Sequence, residues 1–107
     1  MVDEASPLAL RLTPQAERDL EAVWFYTADT WSVAQADRYV GELADTFDLI
    51  CHNPMMARER LEFTPPVRLH RHASHLIVYR SDETTVLVIR VLHMKQDWRA
   101  ALDEPAT

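Results

Sequence analysis

The 107-residue sequence has little of several residue types that mark whole classes of protein. It contains one glycine and one cysteine, which excludes a collagen-like repeat and an internal disulfide, and Cys51 has no second thiol for a cysteine-based metal site. No apolar run approaches the roughly 18 residues that span a bilayer. The start, Met1 to Glu4, is acidic, which argues against a secretory signal. We therefore expect one cytoplasmic domain over residues 1–107, with loose tails at 1–6 and 103–107.

Basic residues are also scarce, and their distribution is uneven. The net charge is −6, and the chain has a single lysine, Lys95. Residues 1–53 hold three basic and ten acidic side chains, whereas residues 54–107 hold eight basic and seven acidic ones. Nucleic-acid binding requires clustered Lys and Arg side chains that neutralise phosphates. We therefore expect no direct sequence-specific contact with nucleic acid, and any such role would fall to the second half.

The hydrophobic pattern of the first half predicts a short strand and a helical hairpin. Residues 8–12 end in the alternation typical of a half-buried strand. Thr13 and Pro14 then form a helix start. Ser32 and Gln35 form a capping box that starts a second helix, which ends before Pro54. The link between the helices is short, so they should lie antiparallel.

The second half changes to a period of two and predicts an antiparallel meander of three strands. These strands are Val67–Arg71, His75–Arg80 and Thr85–Leu92. Before them we expect a connection with a helical turn around Met56 to Leu61, and after them a helical turn over Gln96–Leu102. The predicted fold is α+β, with the helical hairpin packed on one face of a mainly antiparallel sheet.

The last strand is apolar on both faces. Strict alternation places Val86, Val88 and Leu92 on one face and Leu87, Ile89 and Val91 on the other. Because one helical layer covers one face only, the second face needs another cover. The tail from Trp98 onward is one candidate, and a partner protein is the one we favour.

The helical stripes separate expected core residues from expected surface contacts. Trp24 and Trp31 continue the apolar stripe of the first helix, so we assign them to the core. Phe25, Tyr26 and Leu49 stand off the stripes, and clustered exposed aromatic residues suggest an interface. Trp98 fits either a cover for the sheet or a contact with a partner.

Several of these segments together resemble the ParE branch of the ParE/RelE toxin superfamily. The likeness spans about residues 8 to 102 and rests on the joint order of Leu12–Leu20, Trp24–Thr27 with Trp31, Ala36 with Tyr39, Asn53-Pro54, His75–Arg80, and Arg90–His93 with Asp97. The resemblance implies a non-enzymatic toxin without a cofactor that inhibits DNA gyrase. It also implies a ParD-type antitoxin that wraps the toxin, for which Phe25, Tyr26, Leu49 and Trp98 are the candidate contacts.

The RelE branch of the same superfamily supplies the main alternative, a ribosome-dependent messenger ribonuclease. Metal-free RNA cleavage needs a base, a cation and an acid. Glu59 or Glu62 is a candidate base, Arg71 or Arg80 a candidate cation, and His93 a candidate acid. The chain lacks the dense Lys and Arg set that such enzymes use to hold RNA. A further alternative is a toxin-like scaffold that has lost toxicity and only binds the antitoxin.

Two sets of polar residues have both a functional and a structural interpretation. Arg80, Arg90 and His93 are our candidate contacts with the gyrase target. For Arg90, which alternation places among apolar residues, we favour a structural ion pair with Asp97. His70, His72 and His75 lack the thiol and carboxylate neighbours of a zinc site. We therefore predict solvent-exposed hairpin histidines and no metal.

Overall fold

The helical hairpin forms where the caps were predicted. The computed structural model describes residues 7–103, and its helices are α1 (Pro14–Thr30), α2 (Val33–His52) and α3 (Trp98–Asp103). The Thr13 hydroxyl accepts a hydrogen bond from the Ala16 amide, and the Ser32 hydroxyl accepts one from the Gln35 amide, each at 3.0 Å. Within residues 7–103, no helix is both long and apolar enough to cross a membrane.

The sheet has five strands in the order β1-β5-β4-β3-β2. They are β1 (Ala9–Leu12), β2 (Glu59–Arg60), β3 (Val67–His72), β4 (His75–Ser81) and β5 (Thr85–His93). Strand β1 pairs with β5 in parallel, and the other pairs are antiparallel. The predicted α+β class and the three-stranded meander are confirmed.

Two predicted segments differ in the structure. The helical turn of the connection is a 3-10 turn at Pro54–Met56, and part of the region predicted as helical is the edge strand β2. Asp103 ends α3 and is therefore not tail. The other predicted tail residues, 1–6 and 104–107, lie outside the described range.

Strand β5 contains one residue more than the facing part of β4. Val78 lies opposite Arg90 and Tyr79 opposite Val88, so Ile89 is the additional residue of a bulge. The bulge changes the face that later side chains occupy. Val91 therefore joins the core under α1 and α2, and Leu92 lies on the opposite face. Strict alternation had predicted the reverse for these two residues, and that prediction was wrong.

Helix α1 holds this bulge from both sides. The Thr13 hydroxyl donates to the Ile89 carbonyl at 2.6 Å, and the Thr13 amide donates to the Val88 carbonyl at 3.0 Å. On the other side, the Asp19 carboxylate accepts from the Val91 amide at 2.9 Å. The irregular part of β5 thus has its backbone groups satisfied by the start of α1.

Both faces of the sheet are covered by this chain. The side chains buried between the two long helices and the sheet are Ala16, Val23, Leu43, Phe47, Ile50, Cys51, Ile77, Tyr79, Val86, Val88 and Val91. On the opposite face Val78 and Leu92 are 0% and 1% exposed beneath Phe63, Trp98 and Leu102. A partner protein, the cover we favoured from the sequence, is therefore not needed to bury them, because α3 and the connection before β3 fold over this face.

The tryptophans of the hairpin are the other error in the predicted core. Trp31 is 68% exposed. It is the C-cap of α1, and its backbone (φ −123°, ψ −81°) leaves helical geometry, so its side chain does not continue the stripe. Trp24 is half-buried, and its indole N–H donates to Asp37 Oδ1 at 2.8 Å.

Candidate functional site

A cavity of about 630 Å³ lies between α1, the beginning of α2 and the adjoining ends of β4 and β5. Its wall contains both polar and apolar side chains and includes the rings of Tyr26, Trp31, Tyr39, His75 and His93. Volumes of this order are typical of sites that hold a small ligand or the anchoring side chain of a partner. The cavity is therefore a candidate binding site.

Tyr39, His75 and His93 form a cluster of contacting rings in the wall of this cavity. The Tyr39 hydroxyl lies 2.6 Å from His75 Nδ1, and the imidazole rings of His75 and His93 are 5.1 Å apart between centroids. The Lys95 amide donates to His93 Nδ1 at 3.0 Å, so a neutral His93 carries its proton on Nε2. Burial, followed by the nearby His93 and His72, lowers the pKa of His75 to about 4, so His75 is neutral at pH 7.

This cluster was not predicted from the sequence, because we expected the hairpin histidines to be exposed to solvent. His72 and His75 are partly buried against α2, where His72 Nε2 lies 3.2 Å from Glu42 and the Tyr39 ring lies against both imidazoles. Their positions on one sheet face required knowledge of the register between β3, β4 and β5. In the part of the chain that the structure describes, no group of three His, Cys, Asp or Glu side chains could hold a metal ion.

Arg90 is paired with Asp19 and not, as predicted, with Asp97. Its guanidinium donates to the two Asp19 carboxylate oxygens at 2.8 and 3.1 Å, and the two side chains are 19% and 16% exposed. Asp97 accepts a hydrogen bond from the Ala100 amide at the start of α3. Asp19 lies on α1, 71 residues from Arg90 in sequence, so spacing along the chain could not identify it as the partner. Asp19, which lines the cavity, is thus held in place by Arg90.

The other two candidate contacts with gyrase, His93 and Arg80, lie far apart in the sheet. His93 lies opposite His75 at one end of β4, whereas Arg80 lies opposite Leu87 towards the other end. Five residues of strand place the two about 16 Å apart along the sheet. Alternation from Val78 also puts Arg80 on the face covered by α3, away from His93.

A candidate base of a ribonuclease, Glu59, also lies away from His93. Glu59 lies on the edge strand β2, three strands from β5, which is about 14 Å across the sheet. Glu62 is engaged by Arg60 at 2.7 Å, which lowers the pKa of its carboxyl. Glu59 and Arg80 are therefore not gathered with His93 at one place, as a ribonuclease that used these three residues would require.

The candidate antitoxin contacts fall into three separate places. Phe25 and Tyr26 are 66% and 68% exposed beside the cavity, with the Phe25 ring packed edge to face on Trp24. Leu49 is 47% exposed and lies about 11 helical residues further from the hairpin turn, which corresponds to about 16 Å. Trp98 packs against Phe63 on the opposite face of the sheet, so part of its surface has a structural role.

Known sequences include toxins that are similar to this chain over most of its length. A family described as the ParE toxin of the type II toxin–antitoxin system parDE matches residues 10–98. Toxin ParE1 of Mycobacterium tuberculosis is 39% identical over 87 residues, covering 80% of this chain and 89% of that protein. Toxin ParE1 of Caulobacter vibrioides is 35% identical over 92 residues, covering 86% and 95%.

Solved structures with the same fold come from toxin–antitoxin systems. The chromosomal ParDE system from P. aeruginosa contains a chain that superposes with a TM-score of 0.70 at 16% identity, covering 82% of this chain and 97% of that one. The RelBE2 toxin–antitoxin complex from Mycobacterium tuberculosis contains another, with a TM-score of 0.62 at 23% identity and coverage of 81% and 91%. At these identities the likeness establishes the fold.

Proposed function

This chain belongs to the ParE family of type II toxins, and we propose that it inhibits DNA gyrase until a ParD-type antitoxin binds and neutralises it. In this proposal the toxin acts through a surface and not by catalysis, in the cytoplasm where gyrase works. The supporting observation is the separation of the candidate catalytic groups. Arg80 and His93 lie about 16 Å apart on opposite faces of the sheet.

The antitoxin is proposed to dock on the hairpin beside the cavity. Phe25, Tyr26 and Trp31 are each about two-thirds exposed there. Exposed aromatic side chains next to a cavity are the usual anchors of a protein interface. Leu49 and Trp98 remain candidate contacts only for a partner long enough to reach along α2 and around the sheet, as a wrapping antitoxin would.

The test is a supercoiling assay with purified gyrase, relaxed plasmid and increasing amounts of the full chain, with and without ATP. We expect inhibition and trapped cleaved plasmid, both reversed by the antitoxin. Arg80→Ala and His93→Ala are expected to weaken inhibition at unchanged folding. Failure to inhibit or trap gyrase would contradict the proposal.

The same chain expressed in cells separates the alternatives. Codon-specific cuts in messenger RNA that disappear in His93→Ala would identify a ribonuclease. Growth without arrest, together with tight antitoxin binding, would identify a scaffold that has lost toxicity. Growth arrest with intact messages and cleaved chromosomal DNA is the result expected for a gyrase inhibitor.

A further inference from the structure

The two long helices carry the whole net charge of the chain. Together α1 and α2 contain eight carboxylate side chains and two arginines, so their formal charge equals the −6 of the complete sequence. The remaining residues sum to zero. The helical layer is therefore the acidic side of the molecule.

Two of these carboxylates flank the exposed aromatic residues. Glu21, Phe25 and Asp29 follow one another at four-residue steps and so form one row along α1. Phe25 thus has one carboxylate a turn before it and one a turn after it. Tyr26 and Trp31, both 68% exposed, lie beside this row at the mouth of the cavity. We call these five residues the acidic–aromatic strip.

The carboxylates of the strip have no partner in the described part of the chain. Glu21 and Asp29 are exposed, and neither takes part in a hydrogen bond or ion pair there. Asp19, by contrast, is held by Arg90. A neutral or acidic partner that covered Phe25 would strip water from two carboxylates without replacing it, which is costly. A partner with positive side chains at these points would supply the missing partners.

The aromatic rings favour the same kind of partner. Lys and Arg side chains are attracted to the faces of Trp, Tyr and Phe rings, the more so once water is excluded. The acidic field of the hairpin also attracts a cation over a longer distance during encounter. The aromatic rings and the carboxylates thus both favour a partner segment with Lys or Arg side chains.

We propose that the acidic–aromatic strip binds a cationic amphipathic segment of the antitoxin. This inference rests on the proposed function and names the partner's chemistry at that site. Glu21 and Asp29 are eight helical residues apart, which is about 12 Å. The segment accordingly carries two Lys or Arg residues about 12 Å apart, at positions i and i+8 of a helix or i and i+4 of a strand. An apolar side chain between them meets Phe25.

The experiment measures association and dissociation rates of the full chain with the purified antitoxin encoded beside it, at several salt concentrations. Glu21→Gln/Asp29→Asn removes two charges from the strip. Asp45→Asn/Glu83→Gln removes the same number from exposed places outside it and is the matched control. Phe25→Ala/Tyr26→Ala tests the docking surface itself.

We expect the strip variant to associate about tenfold more slowly at low salt, because charges at an interface act mainly on encounter. The difference should vanish near 1 M salt, where the Debye length is about 3 Å. The control should stay within about twofold of the unmodified chain at every salt concentration. Faster association of the strip variant, or equal rates in strip variant and control, would overturn the inference.

The Phe25→Ala/Tyr26→Ala variant distinguishes this inference from the proposed docking surface. If this variant dissociates faster while Glu21→Gln/Asp29→Asn behaves like the unmodified chain, the antitoxin docks on this surface but does not present a cationic segment to it. Unchanged rates in both variants would reject the surface itself. Inhibition of gyrase by the free chain is measured separately and depends on neither result.

Discussion

At the scale of single residues, the clearest finding is that Asp19 serves two groups at once. Its carboxylate accepts hydrogen bonds from the Arg90 guanidinium and from the Val91 backbone amide. Both residues follow directly after the bulge. The side chains of Asp19 and Arg90 are mostly buried, so removal of the Asp19 charge breaks this ion pair in a place with little water. Asp19 therefore matters to folding more than other carboxylates of α1.

Asp19→Asn should lower the free energy of unfolding by about 3 kcal/mol, as is typical when one member of a largely buried ion pair is removed. Urea denaturation followed by circular dichroism measures this. Asp97→Asn is the matched control, since asparagine caps a helix as well as aspartate does. An equal loss in both variants would contradict the assignment of Asp19 as the partner of Arg90.

His75 makes folding depend on pH. Its pKa is about 4 in the folded chain and near 6.5 when unfolded, because burial disfavours the charged ring, as do the neighbouring His93 and His72; the Asp19 carboxylate opposes this weakly. Between these values the unfolded chain binds a proton that the folded chain does not. The contribution of neutral His75 to the free energy of unfolding is therefore complete above pH 6.5 and is lost as the pH falls towards 4.

Acidification from pH 7 to 4 should cost the unmodified chain about 2 kcal/mol more than it costs His75→Gln, after an allowance for partial exposure of the ring. Thermal and urea melts across this range provide the comparison. His52→Gln changes an exposed histidine on α2 and should keep the pH dependence of the unmodified chain. Parallel curves for His75→Gln and the unmodified chain would show that His75 is not the titrating group.

At the scale of elements, the short helix α3 takes the place that a partner protein was expected to fill. Trp98 packs on Phe63, and Ala101 and Leu102 extend the cover over the outer face of the sheet. Arg99 lies with its guanidinium carbon 4.7 Å from the centroid of the Trp98 ring. A six-residue helix thus completes the second core.

Trp98→Ala should destabilise the chain by about 2 kcal/mol, less than for a fully buried tryptophan because part of the ring is exposed. It should also increase binding of a hydrophobic dye to the folded chain, since Val78 and Leu92 lose their cover. Leu61→Ala, at a side chain that is 72% exposed, is the control and should change stability by less than about 0.5 kcal/mol. Equal dye binding by Trp98→Ala and the unmodified chain would contradict this role.

At the scale of the whole molecule, the cores are complete while the helical layer presents aromatic residues among unpaired carboxylates. The chain should therefore be stable without its antitoxin. The antitoxin should still raise its Tm by mass action, because it binds the folded form.

The double variant Phe25→Ala/Tyr26→Ala should keep the Tm of the free chain within a few degrees, since both side chains are about two-thirds exposed. It should lose most of the rise in Tm that the antitoxin causes in the unmodified chain. Differential scanning fluorimetry at fixed concentrations of both proteins measures the two effects. Met55→Ala, at a side chain that is 75% exposed, provides the comparison. An undiminished rise in the double variant would argue for docking elsewhere.

The sequence by itself determined the features that depend on near neighbours. Thr13-Pro14 and Ser32 start their helices because a capping hydroxyl needs only the amide three residues on. The meander follows from local alternation, and the family from the order of short motifs. The exposure of Phe25 and Tyr26 was likewise visible as a departure from the helical period.

Only the tertiary structure decided the features that depend on distant parts of the chain. A single inserted residue at Ile89 exchanges the faces of Val91 and Leu92, and periodicity alone does not locate it. Arg90 pairs with Asp19, which is 71 residues away in sequence. The Tyr39–His75 contact likewise joins α2 to β4. The sheet register sets these partners, and the energy that fixes register comes from packing over the whole molecule.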